Sequence, residues 1–233
     1  MLDAFTPDEL AAIRLSLRVA FWATLGSLPL GIGVAWLLAR GRFPGKVLLD
    51  GLVHMPLVLP PVVTGYVLLL LFGRNGPLGK LLGEVGIVLA FDWKGAALAC
   101  AVMGFPLLVR AVRLGLEAVD QGLEEAAATL GAAPPLVFLT VTLPLMLPGI
   151  VAGAILCFAK ALGEFGATIT FVSNIPGRTQ TLPSALYSYT QVPGGDAGAL
   201  RLTIVAAVLA VAALVASEML ARRVRRRVEG RDG

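Results

Sequence analysis

Residues 123–144 read LEEAAATLGAAPPLVFLTVTLP, and this stretch decides how the rest of the chain is interpreted. Its alanine-rich first half consists mostly of good helix formers, and Asp120 can cap the start of a helix there. Gly131 can adopt the left-handed conformation that ends a helix, while Pro134 and Pro135 favour the start of another. The sequence therefore predicts two short helices joined at a glycine.

The predicted pair of helices forms a compact projection with a small-residue face, which another protein can approach closely. An amphipathic helix lying on the membrane surface is the alternative interpretation. Glu124 and Glu125 disfavour that alternative, because surface helices of this kind usually turn basic residues toward anionic headgroups. Contact with a partner protein is the favoured interpretation.

Outside this stretch the chain is strongly apolar. Hydrophobic residues make up 57% of the 233 residues and charged residues 15%, whereas soluble domains contain about 45–50% apolar residues. Five apolar segments are each near or above the roughly 20 residues that a bilayer core requires: 17–39, 52–72, 95–112, 147–172 and 200–220. We therefore expect an all-α membrane protein, a single transmembrane domain over residues 1–233, with a loop at about 113–146 between the third and fourth spans.

The distribution of lysine and arginine predicts the orientation. An odd number of spans puts the two termini on opposite sides of the membrane. More basic residues fall on the side of the 113–146 loop and the C-terminus, where a cluster directly follows the last span: Arg222, Arg223, Arg225, Arg226 and Arg227. The C-terminus is therefore expected in the cytoplasm and the N-terminus outside, in the inner (plasma) membrane of a bacterium. This pattern does not fit a nucleic-acid groove, so no nucleic-acid partner is expected.

No metal site and no catalytic site are expected. Cys100 and Cys157 lie inside apolar runs and are interpreted as small core residues. His54 is the single histidine of the sequence, and a lone histidine supplies neither a metal site nor a catalytic pair.

Proline and glycine interrupt two of the predicted spans. The residues concerned are Pro56, Pro60, Pro61 and Gly65 in the second span, and Pro144, Pro148 and Gly149 at the entry to the fourth. Proline frees backbone carbonyls that lipid cannot satisfy, so such breaks should face protein or a watery cavity. These prolines and glycines can be interpreted either as ordinary helix kinks or as the lining of a substrate path, and both interpretations remain open.

The 113–146 loop resembles the signature of one transporter family. A Glu-Ala-Ala run starts at Glu125, Gly131 follows after three residues, and Val-Thr-Leu-Pro follows after nine more. This spacing is similar to the EAA signature of ABC importer permeases, which has isoleucine in place of Val141. The resemblance implies the type I importer permease fold and a coupling helix that docks into a separate nucleotide-binding subunit. The implied coupling residues are Glu125, Ala126, Ala127, Gly131, Leu143 and Pro144.

The resemblance covers nearly the whole chain and is greatest to the molybdate group of these permeases. The segments that carry it are FPGK at 43–46, HMPLVLPPVV at 54–63, FPL at 105–107 and LGEFGATITFVSNIPG at 162–177. Sulfate permeases share the layout but diverge after Gly163 and Glu164. The resemblance implies import of molybdate, with tungstate as a second substrate, by alternating access. A sulfate or thiosulfate permease is the alternative.

The chain is expected to have no ATPase site and to be no enzyme. A phosphate-binding loop ends in Gly-Lys followed by Ser or Thr, but here Lys80 precedes Leu81 and Lys46 precedes Val47. The resemblance implies two copies of an ABC ATPase subunit, which bind ATP and Mg²⁺, so that no cofactor belongs to this chain. It also implies a periplasmic or extracellular molybdate-binding protein. Five spans enclose a path poorly, so a second copy of the chain is expected in a twofold homodimer.

The candidate residues of a translocation path lie in the second span, in the fourth span and directly after the fourth. Lys160 and Glu164 are one helical turn apart and can neutralise each other. A purely structural pair and a path role, in which Lys160 attracts a dianion, are both open. Neutral hydrogen-bonding groups follow at Thr168, Thr170, Ser173 and Asn174, and these can serve an oxyanion or their own backbone. Candidate gate residues, chosen for their position beside glycine and proline, are Leu59, Pro60 and Phe165.

Two other classes of membrane protein fit the sequence less well. A secondary anion transporter or channel would not need a docking loop and would usually show inverted repeats, and none is convincing between the two halves of the chain. An intramembrane hydrolase would need a base beside a serine nucleophile, and the sequence contains no Gly-x-Ser-x-Gly motif.

Overall fold

The computed structural model describes residues 5–228, and all regular secondary structure within that range is helical. The helices are α1 (Pro7–Arg40), α2 (Lys46–Val58), α3 (Pro61–Phe72), α4 (Pro77–Glu84), α5 (Trp93–Glu117), α6 (Gln121–Thr129), α7 (Pro134–Val137), α8 (Leu143–Leu162), α9 (Gly166–Val172), α10 (Leu182–Thr190) and α11 (Asp196–Val228). A π-helical turn, Phe138–Thr142, joins α7 to α8. The all-α architecture expected from the sequence is confirmed.

Within residues 5–228, four helical runs are long and apolar enough to cross a membrane. They are α1, α5, the continuous run Pro134–Leu162 that ends with α8, and α11 up to Leu220. The predicted spans at 17–39, 95–112 and 200–220 lie inside α1, α5 and α11.

The second predicted span, 52–72, is not one straight helix. It consists of α2 and α3, which are bent by 114° relative to each other at Leu59 and Pro60. Pro60 and Pro61 have no backbone N–H to donate, so the helical hydrogen bonds of α2 cannot continue into α3. The chain has five spans only if this bent pair counts as one.

The fourth predicted span is not one continuous helix either, and the structure gives narrower bounds for the segment before it. α8 begins at Leu143 and ends at Leu162, and α9 starts only after a break at residues 163–165, so 147–172 is not continuous. Arg113 still lies in α5 and Met146 already lies in α8. The segment between these two helices is therefore 118–142, which we call the knob.

α5 is the central helix of the bundle and packs against α1 and α8. In its most apolar stretch 56% of the residues are buried, against 6% in α11, so α11 lies at the edge. Glycine permits the close crossing of α5 and α8: a Cβ built on Gly149 would lie 2.8 Å from the Cα of Gly115. Small residues at such crossings are typical of membrane helices, which gain stability from close packing.

The N-terminal end of α1 is fixed by a capping box and an ion pair. The Thr6 hydroxyl accepts from the backbone N–H of Glu9 at 3.3 Å, and Glu9 Oε2 accepts from the N–H of Thr6 at 2.8 Å. The fully buried Glu9 carboxylate also contacts Arg201 of α11, with Nη2 to Oε1 at 2.7 Å. The basic cluster used to predict the orientation lies at the far end of α11, where the structure describes the backbone and not the side chains (Arg222, Arg223, Arg225, Arg226 and Arg227).

Candidate coupling loop and translocation path

The knob has the local structure that its sequence predicts. The Asp120 carboxylate caps α6 by accepting from the N–H of Gly122 at 2.9 Å. Gly131 has a φ of +87°, which is the left-handed conformation expected after a helix. α7 then begins at Pro134. At each turn of the knob, one residue favours the observed backbone conformation without help from distant contacts.

Four of the six predicted coupling residues lie on the knob, and the other two, Leu143 and Pro144, lie directly after it in α8. Glu125, Ala126 and Gly131 are exposed, whereas Ala127 is half-buried. Leu143 packs partly into the core at the start of α8, and Pro144 beside it is exposed. A large apolar side chain stands among them: Leu130 is 90% exposed. An apolar side chain exposed at a loop tip is a feature of protein interaction surfaces.

Glu124 connects α6 to two other elements, and the sequence did not reveal these contacts. Its Oε2 lies 3.1 Å from Arg40 Nη2 at the end of α1. Its Oε1 accepts a hydrogen bond of 2.7 Å from the hydroxyl of Thr142 in the π-helical turn. In the sequence, Glu124 stood out only as an acidic residue that disfavours a membrane-surface helix.

The break between α2 and α3 and the break between α8 and α9 meet in space, whereas α8 runs without a break through Pro144, Pro148 and Gly149. Gly166, at the start of α9, lies against Pro61, at the start of α3, and Gly65 of α3 lies against the backbone of Ala167. This contact, which we call the break junction, brings the gate candidates Leu59 and Pro60 close to Phe165 in the fold. Backbone that leaves the helical pattern at membrane depth needs protein or water beside it, and the junction supplies protein for part of that surface.

Lys160 and Glu164 form the ion pair that their spacing predicts, with Nζ to Oε2 at 2.7 Å. The Glu164 side chain is 1% exposed and that of Lys160 is 30% exposed. Glu164 has a second role: Oε1 accepts from the N–H of Ala167 at 3.0 Å and so satisfies a donor in the first turn of α9. The pair therefore stands at the end of α8 and holds the start of α9.

The neutral polar residues that follow Glu164 differ in their hydrogen-bond partners and backbone conformation. The hydroxyls of Thr168 and Thr170 donate to their own helix, to Phe165 O and Gly166 O, both at 2.9 Å. Ser173 is exposed and has a φ of +65°, an uncommon conformation for a residue with a side chain. Asn174 Nδ2 donates to Ser188 Oγ at 2.7 Å, while its Oδ1 is buried without a hydrogen-bond partner among residues 5–228.

Tyr187 is a further residue at this site that the sequence did not single out. Its ring lies 5.2 Å from the ring of Phe165, measured between centroids. Tyr187 belongs to α10, which follows the break junction along the chain. An aromatic contact of this kind holds Phe165 against α10.

Comparison with known proteins identifies the family. Residues 27–226 match the family described as the inner membrane component of binding-protein-dependent transport systems. The chain belongs to this family. Members are the membrane-embedded translocation subunits of importers, so this chain is a multi-pass membrane permease and not an enzyme.

Individual relatives cover almost the full chain. The chain is 59% identical to the molybdenum transport system permease protein ModB of Escherichia coli K12, over 95% of this chain and 97% of that protein. It is 56% identical to ModB of Haemophilus influenzae, over 94% and 96%. The sulfate transport system permease protein CysT of Salmonella typhimurium is 41% identical, over 75% of this chain and 63% of that protein.

Solved importer structures share the fold at low sequence identity. A chain of a bacterial alginate ABC transporter superposes with a TM-score of 0.74 at 16% identity, covering 94% of this chain and 80% of that one. A chain of the MetNI methionine ABC transporter, in an inward-facing conformation, gives a TM-score of 0.70 at 20% identity, covering 92% and 95%. The expected type I importer permease fold is thereby confirmed.

Proposed function

We propose that the chain is the permease through which an ATP-driven importer moves molybdate, and also tungstate, into the cytoplasm. The observation that carries the mechanism is that one helix connects the two candidate sites. α8 starts at the end of the knob and ends at Leu162, beside the Lys160–Glu164 pair. With 20 residues it is about 30 Å long, so a displacement of the knob is carried toward the break junction along one continuous helix.

ATP is bound and hydrolysed, with Mg²⁺, by a separate ABC ATPase subunit. The exposed surface of Glu125, Ala126, Gly131 and Leu130 is the docking surface for that subunit, because it combines small residues with one prominent apolar side chain. Docking there also covers Leu130, which water would otherwise surround at the loop tip. Two permease chains dock two ATPase copies.

The break junction is the part of the path that opens and closes. Leu59, Pro60 and Phe165 line the constriction, and Lys160 attracts the dianion toward it. Since Glu164 neutralises Lys160, the attraction is weak, and weak binding favours release. Ser173 and Asn174, which do not bond to their own helix through their side chains, offer neutral contacts to the oxyanion.

The assembly is a twofold homodimer of permeases in the bacterial inner membrane. The C-terminus and the knob face the cytoplasm, and the N-terminus is outside, because the arginine cluster follows the last span. An external molybdate-binding protein delivers the oxyanion to the outer mouth. We assign molybdate as the substrate because the sequence identity of this chain to the ModB relatives is higher than its identity to the sulfate relative.

Reconstitution with the ATPase and the binding protein in liposomes tests the proposal. Uptake of molybdate, tungstate and sulfate is measured at equal concentration, with ATP and with a non-hydrolysable analogue inside. We expect ATP-dependent uptake of molybdate and tungstate that exceeds uptake of sulfate. A preference for sulfate would support the sulfate alternative, and uptake without ATP hydrolysis would support a secondary transporter.

A further inference from the structure

Packing does little to hold α6 in place against the membrane helices. No residue of α6 is buried. A cleft of about 780 Å³ separates α1 from the knob, and its walls include Ile32 and Trp36 on one side and Pro134 and Phe138 on the other. Because apolar contact across the cleft is sparse, the position of α6 relative to α1 depends on specific polar contacts.

Those contacts converge on the single carboxylate of Glu124. One oxygen contacts the Arg40 guanidinium at 3.1 Å, and the other accepts from the Thr142 hydroxyl at 2.7 Å. Arg40 and Glu124 side chains are 19% and 23% exposed, and Thr142 is buried. The contact with Thr142 is a hydrogen bond to a charged acceptor, which is shorter and stronger than a neutral one. The contact with Arg40 is an ion pair, and Arg40 Nη2 makes no hydrogen bond within residues 5–228. The Glu124 carboxylate is thus held from two sides.

The three partners belong to three different elements. Arg40 ends α1, Glu124 lies in the first turn of α6, and Thr142 closes the π-helical turn that leads into α8. π-helical turns frequently mark functional positions, because the widened turn can change its hydrogen-bond register. Glu124 thus joins α6 to the end of α1 and to the π-helical turn that leads into α8.

We propose that Glu124 is a positioning residue that passes movement of α6 to α1 as well as to α8. α1 then moves together with the docked ATPase instead of serving as a passive scaffold. This inference rests on the proposed coupling role of the knob. It assigns to Glu124 a role distinct from that of its neighbour Glu125, which is exposed and faces the proposed ATPase contact.

Glu124→Gln should uncouple ATP hydrolysis from transport. The experiment uses the complete transporter in liposomes and measures ATP hydrolysed per molybdate imported. In Glu124→Gln the ATPase still docks and turns over, but we expect the ratio to rise several-fold. Glu125→Gln weakens docking, so hydrolysis and import should fall together at an unchanged ratio. Glu84→Gln, an exposed position on α4, is the neutral control.

Charge exchange tests whether Arg40 and Glu124 act as a pair. Arg40→Glu alone should raise the ratio, and Arg40→Glu combined with Glu124→Arg should return it toward the wild-type value. Loss of fold lowers hydrolysis and import together and leaves the ratio unchanged, so the ratio separates coupling from stability. If the wild-type complex imports molybdate with ATP and Glu124→Gln leaves the ratio of ATP hydrolysed to molybdate imported unchanged, the role proposed for Glu124 is wrong, while the proposed function stands. A wild-type complex without ATP-dependent import overturns the proposed function.

Discussion

Gly166 at the start of α9 lies so close to Pro61 at the start of α3 that a Cβ built on the glycine would be 2.8 Å from the Cβ of the proline. The two residues belong to different interrupted spans, and each directly follows the break in its span. The interruptions are therefore one structural feature shared by two helices. A relative movement of α9 and α3 therefore changes this contact.

Gly65→Ala should disturb the break junction from the other side. Its Cβ would lie 2.9 Å from the Cα of Ala167, so the backbone of α9 has to shift, and overpacking of this kind costs about 1–3 kcal/mol. We expect a lower thermal unfolding temperature and a several-fold loss of molybdate import. Gly26→Ala is the matched control, because nothing lies within 4 Å of the added atom. If Gly65→Ala and Gly26→Ala had the same unfolding temperature and the same import rate, import would not depend on the close contact between α3 and α9.

Leu130→Asp should detach the ATPase without unfolding the permease. Leu130 is 90% exposed, so a carboxylate there costs the isolated chain little, but it introduces an unpaired charge into an apolar docking surface. We expect the ATPase to be lost when the tagged permease is purified, with the unfolding temperature unchanged. Leu81→Asp, on the 61% exposed Leu81 of α4, should retain the ATPase.

A crosslink provides an independent check of the same surface. Ala126→Cys, with a bifunctional thiol-to-amine reagent, should join the permease to the ATPase. Crosslinking to the external binding protein instead would place the knob on the wrong side of the membrane. Either result is read directly from the mass of the crosslinked product.

The sequence predicted the features that depend on local chemistry and missed those that depend on distant contacts. The turns of the knob follow from Asp120, Gly131 and Pro134, whose backbone preferences need no partner. The end of α8 at Leu162 was missed for another reason: the apolar composition continues across the break, although the contact of Glu164 with the N–H of Ala167 is local. The link from Glu124 to Arg40 joins residues far apart in the sequence, and no local pattern indicates it.

The ion pair between Glu9 and Arg201 should fix α11 to α1. Glu9 is fully buried, and Arg201 contacts it through both Nε and Nη2. Arg201→Met leaves the carboxylate buried without its partner, so we expect a marked fall in the unfolding temperature in detergent. The double variant Glu9→Gln/Arg201→Met removes the charge and should recover part of that loss. Arg201→Lys should be intermediate, since lysine cannot form the two-point contact.

The pair of Lys160 and Glu164 can be assigned to stability or to transport by comparing single and double variants. Lys160→Ala leaves Glu164 charged and 1% exposed, so stability should fall, though by less than the roughly 3–5 kcal/mol of a fully buried pair, because the Lys160 side chain is 30% exposed. Lys160→Ala/Glu164→Gln removes both charges, and the glutamine can still accept from the N–H of Ala167. We expect this double variant to regain most of the lost stability.

Import by the double variant then decides the role of Lys160. If the lysine attracts the dianion, molybdate uptake stays several-fold below wild type although the transporter is stable and its ATPase remains active. Lys160→Arg keeps the positive charge and should import at a rate close to wild type. Full import by the double variant would mean that the pair serves only to hold α8 against α9, and Lys160 would be removed from the path.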